Sequence, residues 1–331
     1  MLTFSSLPLQ VAGASIDDLT RDAIGLGLSA VAHGTAKNYA GCQQFFLDFC
    51  KSLNRRPLPA DELTLSCFLS FLKLRLKVGA SRLRGYVAAI KLLHTLNNWG
   101  DPFRGKPRLD LVKSAAVKSV GGGKERSPVT LLMLRHFHFL TLDNPTYESV
   151  LTLTCILVGF FGLLRISEFT APLKGSGKPG LKLEHVELLE RWVELRLLHT
   201  KADKARTGVK VVIAKQKDHP CPVRWLAEFI RRRPKTGDDS LLFVTRDGKP
   251  VEAVWFRGML KLWCSKVDAS GTFNTHSLRI GGATAAADAG LSDSEIQRLG
   301  RWASTAFTKY IKPSSASLAR LNQQISLPSL Q

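Results

Sequence analysis

Hydrophobic side chains in the first third of the chain recur at the spacing of an α-helix. Over residues 35–53, Tyr39, Cys42, Phe46 and Phe49 fall on one face, which is the pattern of an amphipathic helix that packs on a core. Two prolines follow and interrupt this helix. The same reasoning predicts three more helices, over 61–76, 81–98 and 108–120, of which Asp61 opens the first and Ser81 is the N-cap of the second.

The periodicity changes in the second part of the chain. Residues 130–142 and 147–169 are predicted to be helical, but between 183 and 214 apolar residues alternate with polar ones, which is typical of half-buried strands. The alternating positions are Val193, Leu195 and Leu197 in one run and Val209, Val211 and Ile213 in the next. Helices are again predicted over 222–232, 251–267, 276–289 and 293–299. The pattern predicts a mainly α protein with a small antiparallel β-sheet.

Three consecutive glycines, 121–123, followed by charged residues and Pro128, form the best linker candidate in the chain. We therefore predict a helical domain over 1–120, a linker over 121–128 and a second domain over 129–331. The small sheet belongs to the second domain.

The chain is strongly basic, with 47 Lys and Arg against 27 Asp and Glu and a formal charge of +20. The excess is spread over both predicted domains. A polyanion that contacts both domains, most simply nucleic acid, explains this distribution. The alternative is a basic protein without a specific partner.

The cysteines and apolar runs indicate the compartment. None of the six cysteines has CxxC spacing, which favours reduced thiols in an intracellular protein. The first residues lack the basic start of a signal peptide, and the longest apolar run, 151–164, is too short to span a bilayer. We expect an intracellular protein without membrane contact. No cluster of metal-binding residues is visible, so we expect no metal or cofactor.

The most informative segment surrounds His276 and Arg279. Thr275 is a suitable N-cap, so His276 and Arg279 are predicted to lie in the first turn of a helix, on one face. A helix amino terminus favours an anion. A histidine and an arginine side by side there predict a phosphate site.

Two further motifs give this segment its context. Arg165 follows an apolar helix and has Glu168 three residues later, and Gly300-Arg301-Trp302 precedes Tyr310. In this order, the set resembles the catalytic signature of the tyrosine recombinases, the phage-integrase-like family. The resemblance covers the whole second domain. The sequence around Trp302 is similar to that of eukaryotic transposon-type members, although a phage or bacterial origin stays open.

The resemblance implies a DNA-cutting and DNA-rejoining enzyme. Tyr310 would attack a backbone phosphate and form a 3′-phosphotyrosyl bond, which stores the energy for rejoining. Arg165 and Arg279 would clamp the non-bridging oxygens with forked donors. Because a phenol has a pKa of about 10, Tyr310 needs help with its proton, and His276 is the candidate.

The family also supplies a lysine from a β-hairpin, which protonates the departing 5′ oxygen. Lys201 lies at the matching place here, and Lys204 and Lys210 are rivals for this role. Glu168 is predicted to orient Arg165 or its neighbours.

One position departs from the family pattern. The family usually has a His or Trp nine residues before the tyrosine, and Arg301 stands there, followed by Trp302. Either Arg301 donates to the phosphate, or the backbone shifts and Trp302 takes the role.

The predicted helical domain resembles the core-binding domain of the same family. By this resemblance the two domains close on double-stranded DNA as a clamp. The basic residues expected to contact DNA are Arg82, Arg84, Lys91 and Lys204. Residues 317–325 are predicted to form a short amphipathic helix, which would dock on a neighbouring protomer of a DNA-bound tetramer or on its own domain.

Two other functions stay open at this stage. One is a DNA-binding protein that derives from a recombinase and no longer cuts. The other is an enzyme similar to a type IB topoisomerase. We expect the chain to be found with DNA, in the nucleus if its host is eukaryotic and in the cytoplasm or nucleoid otherwise.

Overall fold

The protein divides into two compact units, Met1–Gly123 and Lys124–Gln331. The fold is that of a computed structural model, which describes residues 15–29, 31, 33–118, 126–172, 179–198, 207–217, 220–235, 237, 240–267, 269–313 and 318–319. The predicted linker over 121–128 falls mostly outside these residues. At its end, Ser127 donates its backbone N–H to the Thr272 carbonyl at 3.0 Å, so this end belongs to the second unit.

The described part of the first unit is helical. Its helices are α1 (Ile16–Ser29), α2 (His33–Ser52), α3 (Glu62–Ser70), α4 (Ala80–Leu96) and α5 (Pro107–Lys118), and a π-helical turn, Phe71–Arg75, continues α3. The sequence pattern did not predict α1. Asp61 opens α3 as predicted, and the structure shows that Asp61 is the N-cap of this helix and accepts the Thr64 N–H at 2.6 Å. The prediction for Ser81 is wrong, because α4 begins earlier and its N-cap is Gly79.

Aromatic rings form the core of this unit. Phe46 from α2 and Phe68 from α3 meet edge to face at 5.0 Å between centroids, and Tyr86 from α4 lies 5.6 Å from Phe68. All three are buried. The apolar face predicted for α2 therefore packs inward, and such ring pairs add about 1 kcal/mol each beyond the burial of their area.

His94 is fully buried near the carboxyl end of α4. Its Nε2 accepts the backbone N–H of Ala60 at 3.0 Å, and its Nδ1 lies 2.8 Å from the Ile90 carbonyl oxygen, which accepts the ring N–H. This pair of contacts requires a neutral ring. Burial lowers the pKa of His94 below its ordinary value of 6.5.

We expect the first unit to lose stability in mild acid because of His94. The unfolded chain binds a proton on this side chain near pH 6.5 and the folded chain only at lower pH, so the free energy of unfolding falls as the pH drops from about 6.5. His94→Gln should reduce this dependence, as measured by urea titrations at about pH 7.5 and about pH 5.5. His136→Gln, at an exposed histidine, is the control. An unchanged pH dependence in His94→Gln would contradict the assignment.

The second unit is mainly helical with a small antiparallel sheet, as predicted. The helices are α6 (Leu131–Asp143), α7 (Tyr147–Phe161), α8 (Ile166–Phe169), α9 (Pro222–Arg232), α10 (Ala253–Lys266), α11 (His276–Asp288) and α12 (Asp293–Gly300), followed by a 3-10 helix, Thr305–Tyr310. The strands are β1 (Val186–Leu188), β2 (Trp192–Leu197) and β3 (Val209–Ala214), in the order β1-β2-β3.

The alternation predicted for the strands is confirmed. Val193 pairs with Ile213 and Leu195 with Val211 across the β2–β3 ladder, and all four side chains are buried. Helix α7 lies at the centre of the unit, with every residue over 150–160 buried. Among the described residues, no helix is both long and apolar enough to cross a membrane.

The single helix predicted over 147–169 is wrong. Helix α7 ends at Phe161, and Leu163 adopts a φ of +46°, a backbone conformation that only a few per cent of non-glycine residues adopt. The Leu164 N–H turns back to the Gly159 carbonyl at 3.0 Å, and α8 begins at Ile166. This turn, 162–165, places a carbonyl and an arginine at the edge of the functional site.

Candidate active site

Helix α11 brings the two residues of the predicted phosphate site to one place. Its amino terminus differs in one detail from the prediction, because the Thr275 side chain makes no capping hydrogen bond. Asn274 makes the hydrogen bonds at this terminus instead. Its Oδ1 accepts the His276 N–H at 2.9 Å, and Ser277 Oγ accepts the Asn274 N–H at 3.0 Å. His276 and Arg279 line the same cleft.

Two glycines let α11 approach its neighbours closely. A Cβ atom on Gly281 would lie 1.8 Å from the Val129 carbonyl oxygen, and one on Gly282 would lie 2.5 Å from the Phe160 carbonyl oxygen. Larger residues would therefore push α11 away from the Val129 backbone and from the backbone of α7. The close approach lets Arg279 reach the turn that follows α7.

Arg279 is almost entirely inside the protein, with 1% of its surface exposed. Its Nη1 donates to the Leu163 carbonyl, and its Nη2 donates to the Gly300 carbonyl at 3.0 Å. Its Nε is buried without a protein partner among the described residues. Burial, assisted by the charge of Arg165, lowers the pKa of Arg279 to about 10, so the group is still a cation at neutral pH.

Arg165 and Glu168 are joined as predicted. Arg165 Nη1 donates to Glu168 Oε1 at 2.8 Å, and the Arg165 backbone N–H donates to Glu168 Oε2, also at 2.8 Å. The Arg165 side chain keeps 22% of its surface exposed, against 2% for Glu168. The carboxylate thus fixes both the backbone and the side chain of Arg165 while the guanidinium lines the cleft.

Arg301 points into the protein. It adopts a φ of +55° at the end of α12, and its side chain is 10% exposed. Nη1 donates to the Gly162 carbonyl at 3.0 Å, and Nη2 donates to the Leu163 carbonyl and to Glu168 Oε2, both at 3.1 Å. Burial lowers the pKa of Arg301, and the charge of Glu168 opposes this effect.

Trp302 covers the guanidinium of Arg279. The Arg279 Cζ lies 4.5 Å from the centroid of the Trp302 ring, and the centroids of the Trp302 and Tyr310 rings lie 5.4 Å apart. A Cβ on Gly300 would lie 1.6 Å from the Trp302 ring. Glycine at 300 therefore makes room for the indole that rests on the buried cation, an arrangement that cation–π attraction favours.

Tyr310 ends the 3-10 helix with its hydroxyl directed at His276. The distance from Tyr310 Oη to His276 Nδ1 is 3.5 Å, at the outer limit of a hydrogen bond. Such contacts are often long before substrate binds. Burial, and then the charges of Arg126 and Arg279, lower the pKa of His276. Its ring is therefore neutral near pH 7 and can accept a proton.

These side chains meet in one open cleft of about 550 Å³. Six predicted residues line it, namely Arg165, His276, Arg279, Arg301, Trp302 and Tyr310. Ser167 and Ser304 also line the cleft, and neither was predicted because a lone serine has no distinguishing pattern. In the described part of the chain, no group of three or more His, Cys, Asp or Glu is arranged to hold a metal ion.

The predicted lysines lie elsewhere or outside the described residues. Lys201 and Lys204 fall within 199–206, which the structure does not describe. Lys210, the rival for the role of Lys201, lies on β3 and pairs with Glu194 at 2.5 Å. Their predicted roles stay predictions, as does the docking of the 317–325 tail, of which only 318–319 are described.

In the first unit, the basic residues of α4 differ from one another. Arg82 and Arg84 are exposed. Lys91 pairs with Asp101 at 2.7 Å and lies 5.9 Å from the Phe103 ring. A DNA phosphate would have to compete with Asp101 for Lys91.

Comparison with known proteins gives one family and several similar folds. Residues 154–315 match the profile of the Phage integrase family. No curated protein has a matching sequence.

Three solved structures illustrate the fold. The Tn1549 transposon integrase in complex with transposon right end DNA is 16% identical, with a TM-score of 0.61 over 95% of this chain and 100% of that chain. The XerH recombinase bound to palindromic difH substrate is 14% identical, with a TM-score of 0.61 over 87% and 79% of the two chains. A lambda integrase dimer bound to a COC′ core site is 16% identical, with a TM-score of 0.56 over 91% and 95%. At these identities the likeness is one of fold.

Proposed function

We propose that the chain cuts and rejoins double-stranded DNA through a covalent bond to Tyr310, as the match of residues 154–315 to the profile of the Phage integrase family supports. The observation that carries the proposal is the convergence of Tyr310, His276, Arg165 and Arg279 in one cleft. Each residue type supplies a part that phosphoryl transfer requires: a nucleophile, a proton acceptor and two cations.

In the proposed reaction Tyr310 Oη attacks the scissile phosphorus. The phenolic proton passes to the neutral His276, a bond forms between Oη and phosphorus, and the bond from phosphorus to the 5′ oxygen breaks. Lys201 would give its proton to that departing oxygen. Rejoining reverses these steps, and the phosphotyrosyl bond conserves the energy of the broken bond, so no outside energy source is needed.

The arginines would stabilise the negative charge that grows on the phosphate. A preorganised donor of this kind accelerates such reactions by about 10²–10³-fold. Arg165 is already held by Glu168 at 2.8 Å, and Arg279 is held by two backbone carbonyls. Both guanidiniums are therefore fixed by contacts within the protein.

The substrate and the assembly are part of the same proposal. The formal charge of +20 supports binding to a polyanion, and the similar structures named above contain DNA. We propose that exposed Arg82 and Arg84 contact the DNA backbone and that the enzyme works as a DNA-bound tetramer, held through the 317–325 tail. Integration of a mobile element is the reaction that this activity would serve.

Covalent trapping tests the proposal. Nicked fragments of the genome that encodes the chain are incubated with the protein, so that a short strand diffuses away after cleavage and prevents rejoining. We expect a protein–DNA adduct that survives denaturing electrophoresis, with Tyr310 as the modified residue in its peptide map. Tight binding without any adduct would instead support a DNA-binding protein that no longer cuts.

The rate of adduct formation should fall in mild acid. His276 accepts the proton only in its neutral form, and its pKa lies below the ordinary 6.5. The rate is therefore expected to stay level near pH 7 and to decline only as the pH drops through the lowered pKa. His276→Gln should remove this acid limb in single-turnover measurements. A decline that persists in His276→Gln would assign the titration to another group.

A further inference from the structure

We propose that Arg301 is a positioning residue that holds Arg165 and Arg279 in place relative to each other, and that it does not bind the scissile phosphate. The inference rests on the proposed function. Arg301 stands at the position where the family usually has a His or Trp. The inference follows from the hydrogen-bond acceptors that Arg301 shares with Arg165 and Arg279.

The Leu163 carbonyl is the first shared acceptor. Arg301 Nη2 donates to it at 3.1 Å, and Arg279 Nη1 donates to the same oxygen. A carbonyl oxygen has two lone pairs, so it can serve both donors. Arg301 therefore helps to hold the Leu163 carbonyl in place, and this carbonyl in turn holds Arg279.

Glu168 is the second shared acceptor. Its Oε2 accepts from Arg301 Nη2 at 3.1 Å, and its Oε1 accepts from Arg165 Nη1 at 2.8 Å. The carboxylate is 2% exposed, so it depends on these partners instead of water. Arg301 thus shares one acceptor with each of the two arginines assigned to the phosphate.

The donors of Arg301 are already occupied. A guanidinium carries four terminal N–H groups and one on Nε. Nη1 donates to the Gly162 carbonyl at 3.0 Å and the Leu299 carbonyl at 3.3 Å, and Nη2 donates to Leu163 and Glu168. A phosphate could bind Arg301 only by displacing backbone acceptors or Glu168. The remaining Nε is buried.

The residue type at 301 follows from this geometry. A histidine has two ring nitrogens and a lysine has three donors on one atom, whereas the planar fork of arginine can reach three carbonyls and a carboxylate at once. Arg301→Lys should therefore keep the charge but lose part of the positioning.

Two measurements on the full chain test the role. Single-turnover cleavage of the nicked DNA is compared for wild type and Arg301→Gln. The salt dependence of DNA affinity is measured for Tyr310→Phe and for the double variant that carries both Tyr310→Phe and Arg301→Gln. A phosphate contact contributes about 0.9 to the slope of log affinity against log salt, while misplacement of about 1 Å in an active site can cost about 10²-fold in rate.

We expect Arg301→Gln to slow cleavage by about 10²-fold with an unchanged salt slope, and Arg165→Gln to slow cleavage and also lower the slope by about 0.9. A slope that falls in Arg301→Gln as it does in Arg165→Gln would make Arg301 a phosphate ligand and overturn the proposal. Cleavage by Arg301→Gln at the wild-type rate would overturn it as well. Failure of the wild type to form any adduct would instead count against the proposed function.

A double-mutant cycle with Glu168→Gln keeps the test decisive if Arg301→Gln folds poorly. The cycle then uses Arg301→Lys, which retains the buried charge. If Arg301 acts through Glu168, the loss of rate in the double variant is smaller than the product of the two single losses. Losses that multiply would show that the two residues act independently and would refute the proposal.

Discussion

Tyr310→Phe is expected to abolish the covalent DNA adduct while leaving the fold and the DNA affinity close to those of the wild type. The substitution removes only the hydroxyl, which lies 3.5 Å from His276 Nδ1. The ring keeps its contacts with Trp302 at 5.4 Å and Arg279 at 5.7 Å. Without an oxygen nucleophile, no phosphotyrosyl bond can form, so the loss should be complete.

Denaturing electrophoresis after incubation with nicked DNA measures this effect, and a thermal melt checks the fold. Tyr147→Phe is the matched control in the same unit. It removes the hydroxyl that donates to the Val244 carbonyl at 2.8 Å, which costs about 1 kcal/mol of stability but leaves the nucleophile in place. An adduct that persists in Tyr310→Phe would show that another side chain attacks the phosphate.

Arg279→Lys is expected to give the second largest effect, a loss of about 10³-fold in single-turnover cleavage together with a lower melting temperature. A lysine keeps the charge but cannot donate at once to the Leu163 and Gly300 carbonyls, as Arg279 does. The Leu163 carbonyl would keep Arg301 Nη2 as a donor, whereas a Gly300 carbonyl left without a partner in the interior would cost about 1–3 kcal/mol. The forked donor that would face the phosphate is lost as well, and one such donor is worth about 10²–10³-fold in rate.

Arg298→Lys serves as the control, because Arg298 is an exposed arginine on α12. It should stay close to the wild type in both rate and melting temperature. If Arg279→Lys cleaved within about tenfold of the wild type at an unchanged melting temperature, the assignment of Arg279 to both tasks would be wrong.

Much of the fold could be predicted from the spacing of apolar residues along the chain. Helix α9 begins and ends where the pattern placed it, over Pro222–Arg232. The strands bury the alternating residues that were predicted, except Val209, which is only partly buried. Helix α1 was missed because Gly25 and Gly27 lie inside it and weaken its helical pattern. The long helix over 147–169 was overextended, because a leucine with positive φ has no signal in the sequence.

The sequence predicted which residue types form the site, but it did not predict which groups each side chain contacts. The spacing of His276 and Arg279 placed both side chains on one face, and both line the cleft. Backbone carbonyls, such as that of Leu163, carry no sequence signature, although they hold two of the arginines. The left-handed backbone at Arg301 turns its side chain inward, so position along the chain alone could not separate its task from that of Trp302.

Burial of the Arg279 guanidinium links the stability of the second unit to the chemistry proposed for it. Its 1% exposure means that the work of removing a cation from water is done when the protein folds, before any DNA is met. An apolar side chain of similar volume at this position could make the unit more stable, as replacements of buried charges often do. Under the proposed function, selection for stability alone would therefore remove a residue that the chemistry requires.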